Sequence, residues 1–417
     1  MAPLFRLLPD MLESFLSLLT DVSFWLIVLL VGLMYKKMGR TSRRLFQISA
    51  EPVWRVTAVS ALFGLAGGAL GSVLLVLAGI SLQEIGISYL WVTALLLMLI
   101  EQRFLCFAYA GGLLSLSHLI LGFPAISVPQ LMGLVAILHM IEALLIYGSG
   151  HLEPIPVYIR IQSGQIVGGF NLQKFWPLPL IAMSAWNIAD PGVLTDSVQL
   201  PYSWWPLIKS ELALAGGFIV YKLMPVVAAL GYGDIAVSAA PREKTRTASW
   251  ELACYSMILL LLSVAASYLP ILAILPALFG PLGHEMLIRL GQRREMHRQP
   301  LFVPPERGVM ILHVLRGSPS YKAGLRTSDV LLSVDHTPVN DEMEIMQALL
   351  AQGERVELEY LTGKEKKRKT TIVKRAFGQM LGFIPVPGES STNYLEIATS
   401  ASFAEKWLRK IRKRFGR

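Results

Sequence analysis

Apolar stretches close to the length needed to cross roughly 30 Å of hydrocarbon recur from residue 15 to about residue 288, and then they stop. This repetition constrains the chain more than any single motif, because segments apolar on every side call for a bilayer as solvent. Composition agrees: 53% of the 417 residues are hydrophobic and 16% are charged, outside the usual globular balance. Candidate spans lie at roughly 15–35, 57–80, 87–101, 104–122, 130–148, 176–190, 204–223, 252–268 and 270–288. Several are short or contain Pro, so the count is about six to nine. Residues 289–417 read as ordinary soluble sequence, which puts the boundary near Ile288.

The first span is followed by Lys36, Lys37, Arg40, Arg43 and Arg44, not by a small-residue cleavage site, and is expected to stay as a membrane helix. Basic residues recur at 36–55, at Arg103, at Arg160 and Lys174, at Arg242, Lys244 and Arg246, and from Arg289 onward; 81–86, 123–129, 191–203 and 268–270 have none. With nine spans this alternation places the N-terminus outside and everything after Ile288 in the cytoplasm. Lys209 is out of step, near the outer end of its span. Gly64, Gly67, Gly68 and Gly71, and Gly111 with Gly112, would let neighbouring helices approach closely. Between His151 and Trp176, "IPVYIRIQSGQIVGG" reads as two short strands around Ser163 and Gly164, a hairpin placed to contact the C-terminal domain.

The formal charge of +9 lies beside apolar segments and at the extreme C-terminus, so anionic lipid is a nearer partner than nucleic acid. Cys106 and Cys254 sit far apart inside apolar stretches; they suggest neither a disulfide nor a metal site and are expected to be small buried hydrophobes. No cofactor or metal is expected.

Catalytic signatures are missing. An intramembrane zinc protease needs two histidines one turn apart plus a glutamate base, and "HEMLI" at 284–288 has Ile288 where the second histidine belongs. His297 is too distant, and "NIADPGVL" at 187–194 supplies a lone aspartate. His284 and Glu285 therefore read as a helix-end pair facing headgroup water. His118, His139 and Glu142 are ionisable residues in apolar segments; His139 and Glu142, three apart, share a helix face that would suit a proton relay or a metal. Without a longer acidic–histidine chain they read as satisfying each other or a neighbouring helix. No inverted repeat, phosphate loop, dinucleotide fingerprint or Gly-x-Ser-x-Gly elbow is present, so binding is expected and turnover is not.

From Pro304 the text "PPERGVMILHVLRGSPSYKAGLRTSDVLLSVDHTPVNDEMEIMQALL" resembles a PDZ domain of the bacterial protease-associated type. Residues 309–315 read as a strand, Ser318 and Pro319 open a short helix closed by Gly324, and 330–334 form a second strand. A helix capped by Asn340 or Asp341 follows, then strands at 355–360 and 367–373. The resemblance implies strand addition: a peptide pairs with an exposed edge, here Val309, Met310 and Ile311, while Arg307 and Gly308 present backbone N–H groups to its end. Met343, Met346 and Leu350 would line the far wall of the groove.

Spans followed by one cytoplasmic PDZ domain and no protease domain resemble the MinJ-like division-site proteins of Bacillus and related Gram-positive bacteria. The phrases "PLGHEMLI", "IPVYIRIQSGQIVGGFNLQKFWPLP" and "GVMILHVLRGSPSYKAGLRTSDVLLSVD" carry that resemblance. It implies a non-enzymatic adaptor of division-site selection that is enriched at septum and poles, links a DivIVA-like marker to a MinD-like protein, and can self-associate. The rival readings are an intramembrane protease or its regulator, and a transporter with a regulatory domain. The expected fold class is a polytopic α-helical membrane domain at 1–288, a juxtamembrane linker at 289–303, a PDZ-like domain at 304–376 (a small mixed β-sandwich with two helices), and an extension at 377–417. Residues 378–386 can add a strand. In the tail "SFAEKWLRKIRKRFGR", Trp407, Ile411 and Phe415 lie four apart among Lys and Arg, the pattern of a basic amphipathic helix on an anionic membrane surface.

Overall fold

The computed structural model describes residues 2–46, 52–161, 163–188, 205–209, 218–350, 353–363, 365–388 and 395–396. The chain opens with helices α1 (Ala2–Thr20), α2 (Val22–Phe46), α3 (Val53–Ala78), α4 (Ile87–Ile100), α5 (Phe107–Leu121) and α6 (Val128–Leu145). Residues expected as one span at 15–35 bend at Asp21, whose carboxylate accepts the Ser23 N–H at 2.7 Å and starts α2 afresh. Gly79 and Gly122, at φ 77° and 71°, close α3 and α5 in the left-handed region that lacks a steric cost only for glycine. α6 is apolar all round and is enclosed on nearly every side, the expected place for a helix without a polar face.

The short strands β1 (Ile155–Arg160) and β2 (Ile166–Asn171) then pair as the expected hairpin, turning at Gly164 with φ 85°. The next element departs from expectation. Where spans are expected at 176–190 and 204–223, the described residues include two long strands, β3 (Lys174–Ile188) and β4 (Phe218–Tyr232), which begins inside the second segment and runs past it; they pair antiparallel from Lys174 opposite Tyr232 to Ile188 opposite Phe218. Pro177 and Pro179 explain the choice: in a helix interior they would remove donors and clash, whereas on a strand edge the missing N–H is needed by nothing.

That edge faces α3, and the glycines meet it. A Cβ on Gly64 would lie 2.0 Å from the Pro177 carbonyl oxygen, and one on Gly68 would lie 2.2 Å from that of Pro179. The glycines thus admit a strand, not only a helix; Gly67 admits Leu145 and Ile141 of α6, and Gly71 admits Leu180 of β3 with Ile141 farther off. Polar side chains satisfy the rest of the β3 edge. Tyr35 accepts the Phe175 N–H, Ser72 accepts that of Ile181 and Ser81 accepts that of Ala185, while the Met183 carbonyl accepts the Leu82 N–H. Irregular or β backbone is tolerated in so apolar a layer only where protein groups complete its hydrogen bonds.

After β5 (Ile235–Ala236) come α7 (Pro241–Tyr268) and α8 (Ile274–His297). Among the described residues, Val22–Arg40, Val53–Ala78, Val128–Gly150, Pro241–Tyr268 and Pro270–His297 are long and apolar enough to cross a membrane, and α4 and α5 are shorter apolar helices. Lys209 lays its ammonium 4.3 Å from the Tyr268 ring centroid, which accounts for a cation at that end. α8 does not stop at Ile288. Composition changes there, but no proline follows before Pro300 and Gly291 is tolerated within the helix, so the expected linker at 289–303 is helical as far as His297. At this end Lys244 of α7 bridges Asp234 and Glu295, both at 3.2 Å, and Glu295 also accepts the N–H groups of Val237 and Ser238.

The C-terminal unit contains β6 (Val309–Val314), α9 (Pro319–Lys322), β7 (Val330–Val334), β8 (Thr337–Pro338), α10 (Glu342–Leu350), β9 (Arg355–Leu361), β10 (Arg368–Lys374) and β11 (Phe383–Pro385). The sheet order is β10-β9-β7-β6-β11, with β8 on β7. Ser318 caps α9 by accepting the Tyr321 N–H; at the start of α10 Asp341 accepts the Glu344 N–H, and the Glu344 carboxylate accepts the Asn340 N–H. Val309, Ile311, Leu331, Ile345, Leu349 and Val373 fill the core. The expected boundary at 376 stops short of β11, which supplies the last strand of the sheet. A further short strand, β12 (Leu395–Glu396), runs parallel to β1.

The β1–β2 hairpin does contact this unit. Phe170 and Leu172 pack with Phe302, Leu312, Ile384 and Val386, so the hairpin covers the outer face of β6 and β11.

Candidate peptide-binding face

Strand addition needs an open edge, and β6 is not one. It pairs with β7 through Val309 and Met310 and with β11 through Ile311, His313 and Val314. The expected assignment of Val309, Met310 and Ile311 to the peptide-pairing edge is therefore corrected: Val309 and Ile311 point into the core, and Met310 packs under the hairpin. Gly308 is likewise engaged, its N–H donating to Asn340 Oδ1 at 3.0 Å while its φ of 82° sets it against the Leu331 carbonyl. Arg307 is exposed beside it.

The sheet ends in β10 on one side and β11 on the other, and the outer edge next to β6 belongs to β11. Gly382 and Val386 bond inward, accepting from Leu315 N–H at 3.0 Å and donating to the Met310 carbonyl at 2.8 Å. By alternation Phe383 and Pro385 turn their backbone groups outward. Pro385 has no N–H to offer, as suits an edge, and its carbonyl accepts the Tyr158 hydroxyl of β1 at 2.9 Å. Tyr158 thus closes the far end of the edge and leaves the Phe383 backbone open.

The loop entering β11 is held from beneath by Arg375, a buried guanidinium that donates to the carbonyls of Gly353, Gln379 and Leu349. Leu349 is in the last turn of α10, so one side chain ties this loop to the helix end. The Gln379 side chain accepts the Ala376 N–H, and Gly378 and Gly382 take φ 74° and 78°. Among the described residues the N–H groups of Met380, Leu381 and Gly382 meet no acceptor. On α10, Ile345 and Leu349 enter the core while Met343, Met346 and Leu350 remain exposed. The three wall residues expected from sequence are thus at the surface, beside an edge other than the expected one.

The candidates of the helical layer also move. His139 does not pair with Glu142; its Nδ1 donates to the Val135 carbonyl at 2.7 Å and its Nε2 lies 3.1 Å from Cys106 Sγ. His284 leaves Glu285 and turns toward the same sulfur, with Nε2 at 3.7 Å. Cys106 is therefore no inert hydrophobe, and Cys254, expected to be buried, is exposed on α7. Glu285 accepts from Tyr109 at 2.8 Å and from Arg289 at 2.7 Å, with Arg103 at 3.4 Å. His118 bonds the Pro124 carbonyl. Trp407, Ile411 and Phe415 lie outside the described residues. Neither Cys106 nor His139 nor His284 shares a sequence spacing with another, so no local pattern could have joined them.

Comparison with known proteins agrees with the C-terminal architecture: residues 288–373 match the family model "PDZ domain". The chain is 22% identical over 243 residues to the cell division topological determinant MinJ of Bacillus subtilis, covering 57% of this chain and 55% of that protein. It is 30% identical over 76 residues to the putative serine protease HhoA of Synechocystis, covering 17% of this chain and 19% of that one. The chain thus spans about half, or less, of the curated relatives it matches. A solved PDZ domain of an SdrC-like protein from Listeria monocytogenes aligns at 16% identity with a TM-score of 0.18, over 19% of this chain and 90% of that one.

Proposed function

We propose that this chain is a membrane-embedded, non-enzymatic scaffold of cell division that captures partner polypeptides on the face between β11 and α10. The observation that carries the reading is the similarity to MinJ across 57% of the chain, joined to a PDZ domain whose outer strand β11 is paired on its β6 side alone. An extended segment would pair with the Phe383 backbone, place its end against the N–H groups of 380–382, and lay side chains on Met343, Met346 and Leu350. The partners are those the resemblance implies, a DivIVA-like marker of pole and septum and a MinD-like protein.

The PDZ domain is cytoplasmic in this reading. β3 and β4 leave from and return to one end, Lys174 beside Tyr232, so exchanging two spans for a hairpin leaves the parity of the basic connections unchanged. The basic tail at 403–417 would rest on the inner leaflet.

The test is the position of a fluorescent fusion in growing cells. Enrichment at septum and poles, lost when β11 is disabled, is the expected result; an even membrane signal would sink the reading.

A further inference from the structure

We propose that Cys106, His139 and His284 form a zinc site that clips α8 to α5 and α6. Cys106 precedes α5, His139 lies within α6 and His284 within α8, and the Sγ and one imidazole nitrogen from each histidine fall within 4.8 Å of one another. Tetrahedral zinc, with Zn–S near 2.3 Å and Zn–N near 2.0 Å, separates sulfur and nitrogen ligands by ~3.5 Å. The observed 3.1 Å and 3.7 Å bracket that spacing.

The surroundings are those of a ligand set. His139 spends its Nδ1 proton on the Val135 carbonyl, which fixes the tautomer with an Nε2 lone pair aimed at the cluster. The rings of Tyr109 and Tyr255 stand edge-on to His284, with centroids at 5.4 Å and 5.9 Å. Their hydroxyls donate elsewhere, to Glu285 and to the Gly280 carbonyl, and leave the imidazole nitrogens uncontested. His284 Nδ1 meets no acceptor among the described residues, so ring packing orients this second imidazole.

One thiolate and two neutral imidazoles are a borderline-soft set suited to Zn²⁺, and they leave a fourth position. A cavity of about 700 Å³ supplies it: Cys106, His139 and His284 line its wall together with Glu142, and Arg103, Lys244 and Glu295 stand on the same lining. Glu285 is held by Tyr109, Arg103 and Arg289, Glu142 stands on the cavity wall beside the ligands, and the ligands join the start of α5 to α6 and α8, so the arrangement is a fastening. Because α8 runs on toward the PDZ domain, the ion would fix the stalk of that domain in the helical layer.

The test uses the full chain in detergent with exposed Cys254 replaced by Ala, leaving Cys106 as the single thiol. Purified without chelator, it is expected to hold about one Zn²⁺ per chain, most of it lost in Cys106→Ser and in His284→Ala. Cobalt loading should give a thiolate-to-metal charge-transfer band, and added Zn²⁺ should slow thiol labelling at least tenfold. The cobalt and labelling measurements need no change at the three ligands, so a Cys106→Ser chain that fails to fold leaves the test intact. Zinc no higher than in a well-folded Cys106→Ser chain, a cobalt spectrum without that band, or labelling indifferent to Zn²⁺ would overturn the proposal.

Discussion

Gly64 of α3 and Pro177 of β3 meet main chain to main chain, with room for no atom between them: a Cβ on Gly64 would stand 2.0 Å from the Pro177 oxygen. The oxygen is backbone and cannot rotate aside. Gly64→Ala or Gly68→Ala should therefore push β3 off α3 and cost about 1–3 kcal/mol each. Gly233→Ala, with nothing within 4 Å of its added carbon, should be neutral by comparison. Thermal unfolding in detergent separates the two classes.

Ser72 and Ser81 accept N–H groups of Ile181 and Ala185 that have no strand on that side. Alanine at either position leaves a buried donor unpaired, a loss of roughly 1–3 kcal/mol. Hydrogen exchange at Ile181 or Ala185 should speed up in the matching variant and hold steady in the other.

Arg375 donates to three carbonyls while buried. Arg375→Ala should free the loop from the end of α10, destabilise the PDZ unit by about 2–4 kcal/mol, and weaken partner capture further than stability alone explains. Denaturant unfolding and capture measured on the same preparation decide this.

Burial among Phe170 and the β6–β11 sheet holds the His313 imidazole below its ordinary value. The unfolded chain then binds the proton first as pH falls, so this contribution is complete above about pH 6.5 and declines from there toward the folded value. The melting point should drop below pH 6.5 in the wild type, and His313→Gln should remove that part of the slope. An identical slope in both would refute the assignment.

Met346 is exposed on α10. Met346→Arg should leave unfolding within about 0.5 kcal/mol of the wild type and still reduce capture of a DivIVA-like partner, because the charge falls on an apolar wall. Unchanged capture by the folded variant would remove Met346 from the groove.

Much of this was legible in the residues themselves. Ser318, Pro319 and Gly324 bracketed α9, and the apolar period marked α10. β3 was not legible because both of its faces are buried: Trp176, Leu178, Leu180, Ile181 and Ala182 give an unbroken apolar run that hydropathy alone assigns to a span. The Pro177–Pro179 alternation was the available sign of a strand. The edge was expected at Val309–Val314 because the resemblance put it there, but that strand sits inside the sheet, and the outer strand beside it, β11, is three residues long and contains Pro385. Cys106, His139 and His284 are joined by helix packing alone.

Because the PDZ sheet is seated on β1 and β2 while Glu295 and Lys244 brace the helix that leads to it, the domain cannot swing freely like a float on a tether. A polypeptide caught on β11 would be presented at one height and one heading relative to the lipid plane. A lattice of such chains would then read its partner's orientation as well as its presence.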